Sequence, residues 1–176
     1  MKGCRFNNWD KKCEEIVNKQ IQIEYFASYQ YHLMWSYFNR SDVALENIAK
    51  FYKKSAEEEL EHAHNLMKYQ NLRGGNVELR GIQSANIDFL FESDNPVLSC
   101  FKETLSMEQN VYENLLKVHK VGDECDDPQF TDFIEGEYLE EQVNALNEIS
   151  KYVTELEMIG DDKHGIWHFD KNFFNK

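Results

Sequence analysis

Scarcity of chain breakers is the property that most limits what this sequence can become. Its 176 residues include eight glycines and two prolines, about half the share usual in globular chains. Each proline follows a capping residue, as Asn95-Pro96 and Asp127-Pro128. A side-chain oxygen followed by a fixed φ is how a helix begins, and a missing N–H costs nothing there. Turn-rich β sandwiches, collagen and Pro/Gly linker arrays are excluded, and an all-α chain is expected. At 41% hydrophobic and 14% aromatic residues, the chain can fill a core and is not disordered throughout.

Four long helical segments are expected. They run from about Asp10 to Phe38, from near Leu45 to the glycine stop Arg73-Gly74-Gly75, from Asn95-Pro96 to Gly122, and from Asp127-Pro128 to about Met158. A weaker segment from about His164 to Phe174 closes the chain. The reading is one domain over residues 1–176, with a bundle at about 10–158 and a short fifth helix at about 164–174. Each long segment is over twice the mean helix length of about 11–12 residues, which suits a bundle. Short loops make antiparallel pairs of the first two and of the last two. The roughly 20 residues between Arg73 and Pro96 lack helical period, and a loop that long needs a reason. Returning along a bundle about 40 Å long supplies one. Two hairpins joined by one crossover give an up-down-down-up four-helix bundle.

The chain carries 19 Lys and Arg against 32 Asp and Glu, a net charge of −13. That balance opposes nucleic-acid binding, which needs a basic face, and suits handling of cations. No run of about 18 apolar residues is present, so no membrane span is expected. Residues Met1 to Trp9 lack the apolar run of a secretory signal. Cys4, Cys13, Cys100 and Cys125 form no C-x-x-C pair, so free thiols in a reducing compartment are expected. Cytoplasm is the expected location.

Positions three or four apart give each helix a buried stripe. These stripes are Cys13, Val17, Ile21, Glu24, Ala27, Tyr31, Met34, Phe38; Leu45, Ile48, Tyr52, Ser55, Glu59, His62, Leu66, Tyr69; Leu98, Phe101, Leu105, Glu108, Val111, Leu115, Val118; and Ile134, Tyr138, Gln142, Ala145, Ile149, Val153, Leu156. Each is broken near its middle, by Glu24, by Glu59 with His62, by Glu108 and by Gln142. Mid-helix positions share one layer of a bundle whichever way the helices run. Buried carboxylates lose several kcal/mol of hydration each, and are tolerable only if protonated or if they share a multivalent cation. Glu59-x-x-His62 places an oxygen and an imidazole nitrogen on adjacent turns of one face, as in di-iron carboxylate bundles. Oxygen ligands with one nitrogen suit iron or manganese, and no thiolate set favours zinc. Singly, each residue is more simply a surface or core residue; the coincidence at one height carries the inference.

At these residues the sequence resembles a eukaryotic ferritin of the heavy, ferroxidase-active type. The segments that carry the resemblance are 18–31, 42–49, 58–63, 66–75 and 132–143. It implies a ferritin-like bundle that oxidises Fe(II) with O₂ at an intra-subunit di-iron centre and stores ferric oxyhydroxide mineral inside a hollow cage. That cage would hold twenty-four copies, alone or mixed with other ferritin subunits, and bind neither nucleic acid nor membrane. By matched position Glu24, Glu59, His62 and Glu108 would be the main ligands, with Glu59 bridging two irons. Gln142 would orient water or O₂, and Tyr31 would stand beside the centre. Glu57, Glu58 and Glu61 match transit and nucleation acids, although a solvated acidic run is the plainer reading. Asp132, Glu135 and His119 match the lining of three-fold pores, where rings of acid would concentrate cations. The crossover around Asn86 to Glu92 and the short tail after Gly165 depart from the family pattern. Two other classes stay open: a non-catalytic structural cage subunit, and a soluble di-iron oxygenase, which should carry a second Glu-x-x-His.

Overall fold

The computed structural model describes residues 5–90 and 94–173, apart from the side chain of Phe89. Four long helices build it: α1 (Lys11–Phe38), α2 (Glu46–Leu72), α3 (Pro96–Glu124), and a fourth made of α4 (Pro128–Ile134), a π-helical turn (Glu135–Leu139) and α5 (Glu140–Ile159). A short α6 (Lys163–Asn172) follows, and among the described residues there is no strand. The helix starts expected at Asp10, Asn95 and Asp127 hold. Their side chains accept the backbone N–H of Lys12 (2.7 Å), Leu98 (3.1 Å) and Phe130 (3.1 Å). Gly74 takes φ +76° where α2 stops, and the Gly75 N–H returns to the Gln70 carbonyl at 2.9 Å. This is a glycine-terminated helix end of the usual kind.

Gly122 does not end α3 as expected. The helix runs on to Glu124, and the left-handed turn belongs to Asp126, at φ +52°. Gly122 is helical and buried, and a Cβ there would lie 2.9 Å from Thr131 and 3.0 Å from Phe130. It is a packing glycine that lets α4 fold closely back on α3.

The π turn was not expected, yet its physical cause lies in the sequence. Phe130, Ile134, Tyr138 and Gln142 are all buried and four residues apart. On an ordinary α-helix three such steps drift by about 120°. The wider turn, in which the Glu140 N–H bonds back to the Glu135 carbonyl, absorbs that drift and keeps Gln142 facing the core.

Three polar residues on the outer side of α1 stitch the crossover beside it. Asn18 bonds Asn76 and Glu78 (3.0 and 2.9 Å), Gln22 bonds Gly81 (2.6 Å), and Gln30 bonds the Asn86 backbone twice (2.8 Å each). The crossover therefore runs parallel to α1 and returns the chain to the start of α3. The expected four-helix bundle with one long crossover is the one observed. Of the departing stretch, residues 91–93 lie outside the described residues, as does the expected helix end at Phe174.

Aromatic side chains fill both ends of the core. Trp9, Tyr69, Phe130 and Phe133 pack at one end; Phe38, Tyr52, Phe101, Tyr152, Phe169 and Phe173 pack at the other. The layer between them is where polar side chains enter.

Candidate metal centre

Glu24 projects inward from the middle of α1 and is fully buried. Facing it from α2 are Glu59, also buried, and half-buried His62 one turn on. One ligand atom from each of Glu24, Glu59 and His62 lies within 4.8 Å of the others, a spacing that one ion can span. Glu24 Oε1 accepts from Gln20 Nε2 at 2.8 Å, while its buried Oε2 has no hydrogen-bond partner. An oxygen so placed costs free energy unless a cation or proton meets it.

Burial is the first cause that pushes the Glu24 carboxyl well above the ordinary carboxylate range, followed by the neighbouring charge of Glu59. Glu59 is raised in turn by burial and then by Glu108. The charge of Glu59 opposes ionisation of Glu24, so the metal-free pair favours a bound proton. A divalent ion would displace that proton.

Glu108 enters from α3 at the same height but turns its carboxylate the other way. One oxygen accepts from the Tyr31 hydroxyl and the other from Gln142 Nε2. Gln142 also donates to the Glu108 main-chain carbonyl at 3.1 Å. Burial raises the Glu108 carboxyl, and the bonds from Tyr31 and Gln142 oppose that rise. The four helices thus bring all six expected centre residues into one layer. They form a triad of Glu24, Glu59 and His62 beside a second group of Glu108, Tyr31 and Gln142.

The layer opens into a cleft of about 470 Å³ between α2 and α5. Glu58, Glu141, Glu148 and Lys54 line it, together with Glu59, His62, Glu108 and Gln142. Three site neighbours escaped the sequence reading. Glu141 reaches His62 Nε2 at 3.3 Å, Gln20 holds Glu24, and Tyr138 donates to the His62 main-chain carbonyl at 3.0 Å. Signals for two of them existed: Gln20 stands four residues before Glu24, and Glu141 directly precedes Gln142.

The remaining expected residues spread over the surface. Glu57 and Glu61 are exposed on α2 and half-buried Glu58 faces the cleft, with Lys53 and Lys54 paired to Glu57 (3.6 Å) and Glu58 (2.7 Å). His119 Nε2 meets Glu135 at 2.6 Å, and its Nδ1 meets Asp123 at 3.5 Å. Asp132 is exposed one turn before Glu135.

A family model described as a ferritin-like domain matches residues 14–159. A chloroplastic ferritin of Malus baccata var. xiaojinensis is 47% identical over 96% of this chain and 67% of its own length. Chloroplastic ferritins of Zea mays and Phaseolus vulgaris are each 48% identical, over 90% and 93% of this chain and 63% and 64% of theirs. The chain thus spans about two thirds of the length of these relatives. Their naming overturns the cytoplasmic expectation: kinship points to a plastid. Scattered cysteines and the absence of a secretory run in nine residues do not discriminate between reducing compartments. By the extent of these matches, the chain belongs to the ferritin family.

Proposed function

We propose that this chain is a ferroxidase-active, heavy-type ferritin subunit that stores iron. One ferritin-like unit over residues 1–176 takes in Fe(II) as substrate, passes its electrons to O₂ and releases Fe(III) to a ferric oxyhydroxide mineral. Storage needs a hollow assembly, and we assign twenty-four copies to it, alone or with other ferritin subunits.

The observation that carries this reading is the buried Glu24 Oε2, which has no hydrogen-bond partner, within reach of Glu59 and His62. Glu24, Glu59 and His62 hold the first iron, with Glu59 extending to a second held by Glu108. Tyr31 and Gln142 aim the Glu108 carboxylate by bonding both of its oxygens. Carboxylate ligands favour the higher charge of Fe(III) and so ease electron loss. The Glu24 carboxyl, held protonated by burial, releases its proton as the metal enters. The acidic cleft fits iron traffic better than an organic substrate, which favours this reading over the oxygenase. Glu57, Glu58 and Glu61 receive the ferric product, and Asp132, Glu135 and His119 guide entry.

Replacing Glu59→Ala together with His62→Ala should slow rapid aerobic Fe(II) oxidation at least ~100-fold while leaving a folded assembly. Stopped-flow absorbance reads the rate and light scattering the mass. An unchanged rate in the folded variant would discard the site.

A further inference from the structure

None of the centre's carboxylates, nor its imidazole, comes from the fourth helix, yet that helix grips His62 at three points. The Tyr138 hydroxyl donates to the His62 main-chain carbonyl at 3.0 Å, and the two rings meet edge to face with centroids 5.6 Å apart. Glu141 Oε2 lies 3.3 Å from His62 Nε2. Tyr138 is buried inside the π turn, and Glu141 lies in the first turn of α5 just after it. The wide turn that keeps Gln142 facing the core therefore also sets both residues beside His62. Lys54, which lines the same cleft, pairs with Glu58 at 2.7 Å, so its charge is engaged by another acid.

The two ring nitrogens keep different company. Nδ1 faces Glu59 Oε2 at 3.5 Å, too far for a good hydrogen bond. A carboxylate only accepts, so the contact with Glu141 puts hydrogen on Nε2, and a neutral ring then keeps its lone pair on Nδ1. Nδ1 and Glu59 Oε2 are in that case two acceptors face to face, an arrangement that a cation or a proton between them relieves. Left to itself, an imidazole turns about its last side-chain bond in a broad, roughly two-fold well. A half turn would put a ring carbon where Nδ1 stands and cost the triad one of its ligand atoms.

We propose that Glu141, seated by the π turn, is a positioning residue that fixes the His62 ring with Nδ1 toward the ion. Tyr138 supports it by holding the main chain and the ring edge of the same histidine. The bond from Nε2 also makes the opposite nitrogen a better donor to a metal. This role rests on Glu24, Glu59 and His62 being the first iron site. The fourth helix then acts on both halves of the centre without supplying a charged ligand, through Glu141 on His62 and through Gln142 on Glu108.

The test is an anaerobic titration of the assembled, metal-free protein with Co(II), an ion that stands in for Fe(II) and does not turn over. Calorimetry reads affinity, and the visible d–d bands of the bound ion read its ligand set. Glu141→Ala should weaken the tighter site ~10–100-fold and shift its bands. The thermal midpoint of the metal-free variant should stay within about 2 °C of the wild type, because Glu141 is exposed. Glu141→Gln, whose amide oxygen still accepts from Nε2, should recover affinity to within about threefold and return the wild-type bands. Glu141→Ala binding Co(II) as the wild type does would overturn the positioning role and leave the metal site standing. Glu141→Gln binding as weakly as Glu141→Ala would overturn it too, because charge or direct ligation would then be the cause. Wild-type protein with no tight Co(II) site would overturn the site itself, and the positioning role with it.

Discussion

Two regions of this bundle bury charge, and they do it in opposite ways. At one end Arg73 and Asp127 form an ion pair with almost no exposure, joined by Tyr69, Gln129 and Asn8. The guanidinium also stacks over the Trp9 ring at 4.7 Å. In the middle layer Glu24, Glu59 and Glu108 are also buried, yet among the described residues no Lys or Arg pairs with them. Charge closed upon itself locks the helix ends together. Acidic charge buried without a fixed cation, with Glu24 Oε2 unbonded, marks a place prepared for an ion from outside.

The comparison breaks most readily at Arg73. Arg73→Ala leaves Asp127 buried without its cation and should cost about 3–5 kcal/mol, read as a lower denaturant midpoint. Glu108→Gln in the metal-free protein should cost far less or stabilise it. A large loss from Glu108→Gln would show that the middle acids are structural.

Next in size is a pH effect confined to the middle layer. Burial raises the Glu24, Glu59 and Glu108 carboxyls above the ordinary glutamate value of 4.5, so above that pH the folded chain holds protons the unfolded chain has released. The stability they give is complete below about pH 4.5 and declines as pH rises through their raised folded values. The metal-free protein should therefore lose ~1–3 kcal/mol between about pH 5 and 8. Glu24→Gln with Glu59→Gln, or a saturating divalent ion, should flatten the slope in calorimetry.

Another buried acid sharpens the contrast with the smallest effect. Asp170 on α6 gives one carboxylate oxygen to the N–H groups of Asn47 (2.9 Å) and Ile48 (3.0 Å), capping α2, which has no side-chain cap of its own. Asp170→Ala should cost about 1–2 kcal/mol and speed hydrogen exchange at Asn47 and Ile48 alone, with iron oxidation unchanged.

Local signals explain what could be read in advance. The caps Asp10, Asn95 and Asp127 and the Gly74 stop act within a few residues, so the helices and the layer shared by Glu24, Glu59, Glu108 and Gln142 were legible. Asp170 capping α2 joins residues over a hundred positions apart, and the stitching of the crossover by Asn18 and Gln30 joins residues 56 to 60 apart. No local pattern encodes either. The π turn lay between: the four-residue spacing from Phe130 to Gln142 contained it, but an assumption of ideal helices hid it. Gly122 misled because glycine is needed both where a helix stops and where two helices touch.

Anaerobic titration of the metal-free protein with Fe(II), followed by calorimetry, addresses the open-charge claim without any oxidation chemistry. Saturable tight binding of two ions per chain, with proton release, and its loss in Glu59→Ala with His62→Ala, is the expected result. Weak, unsaturable uptake that the double variant leaves unchanged would contradict it.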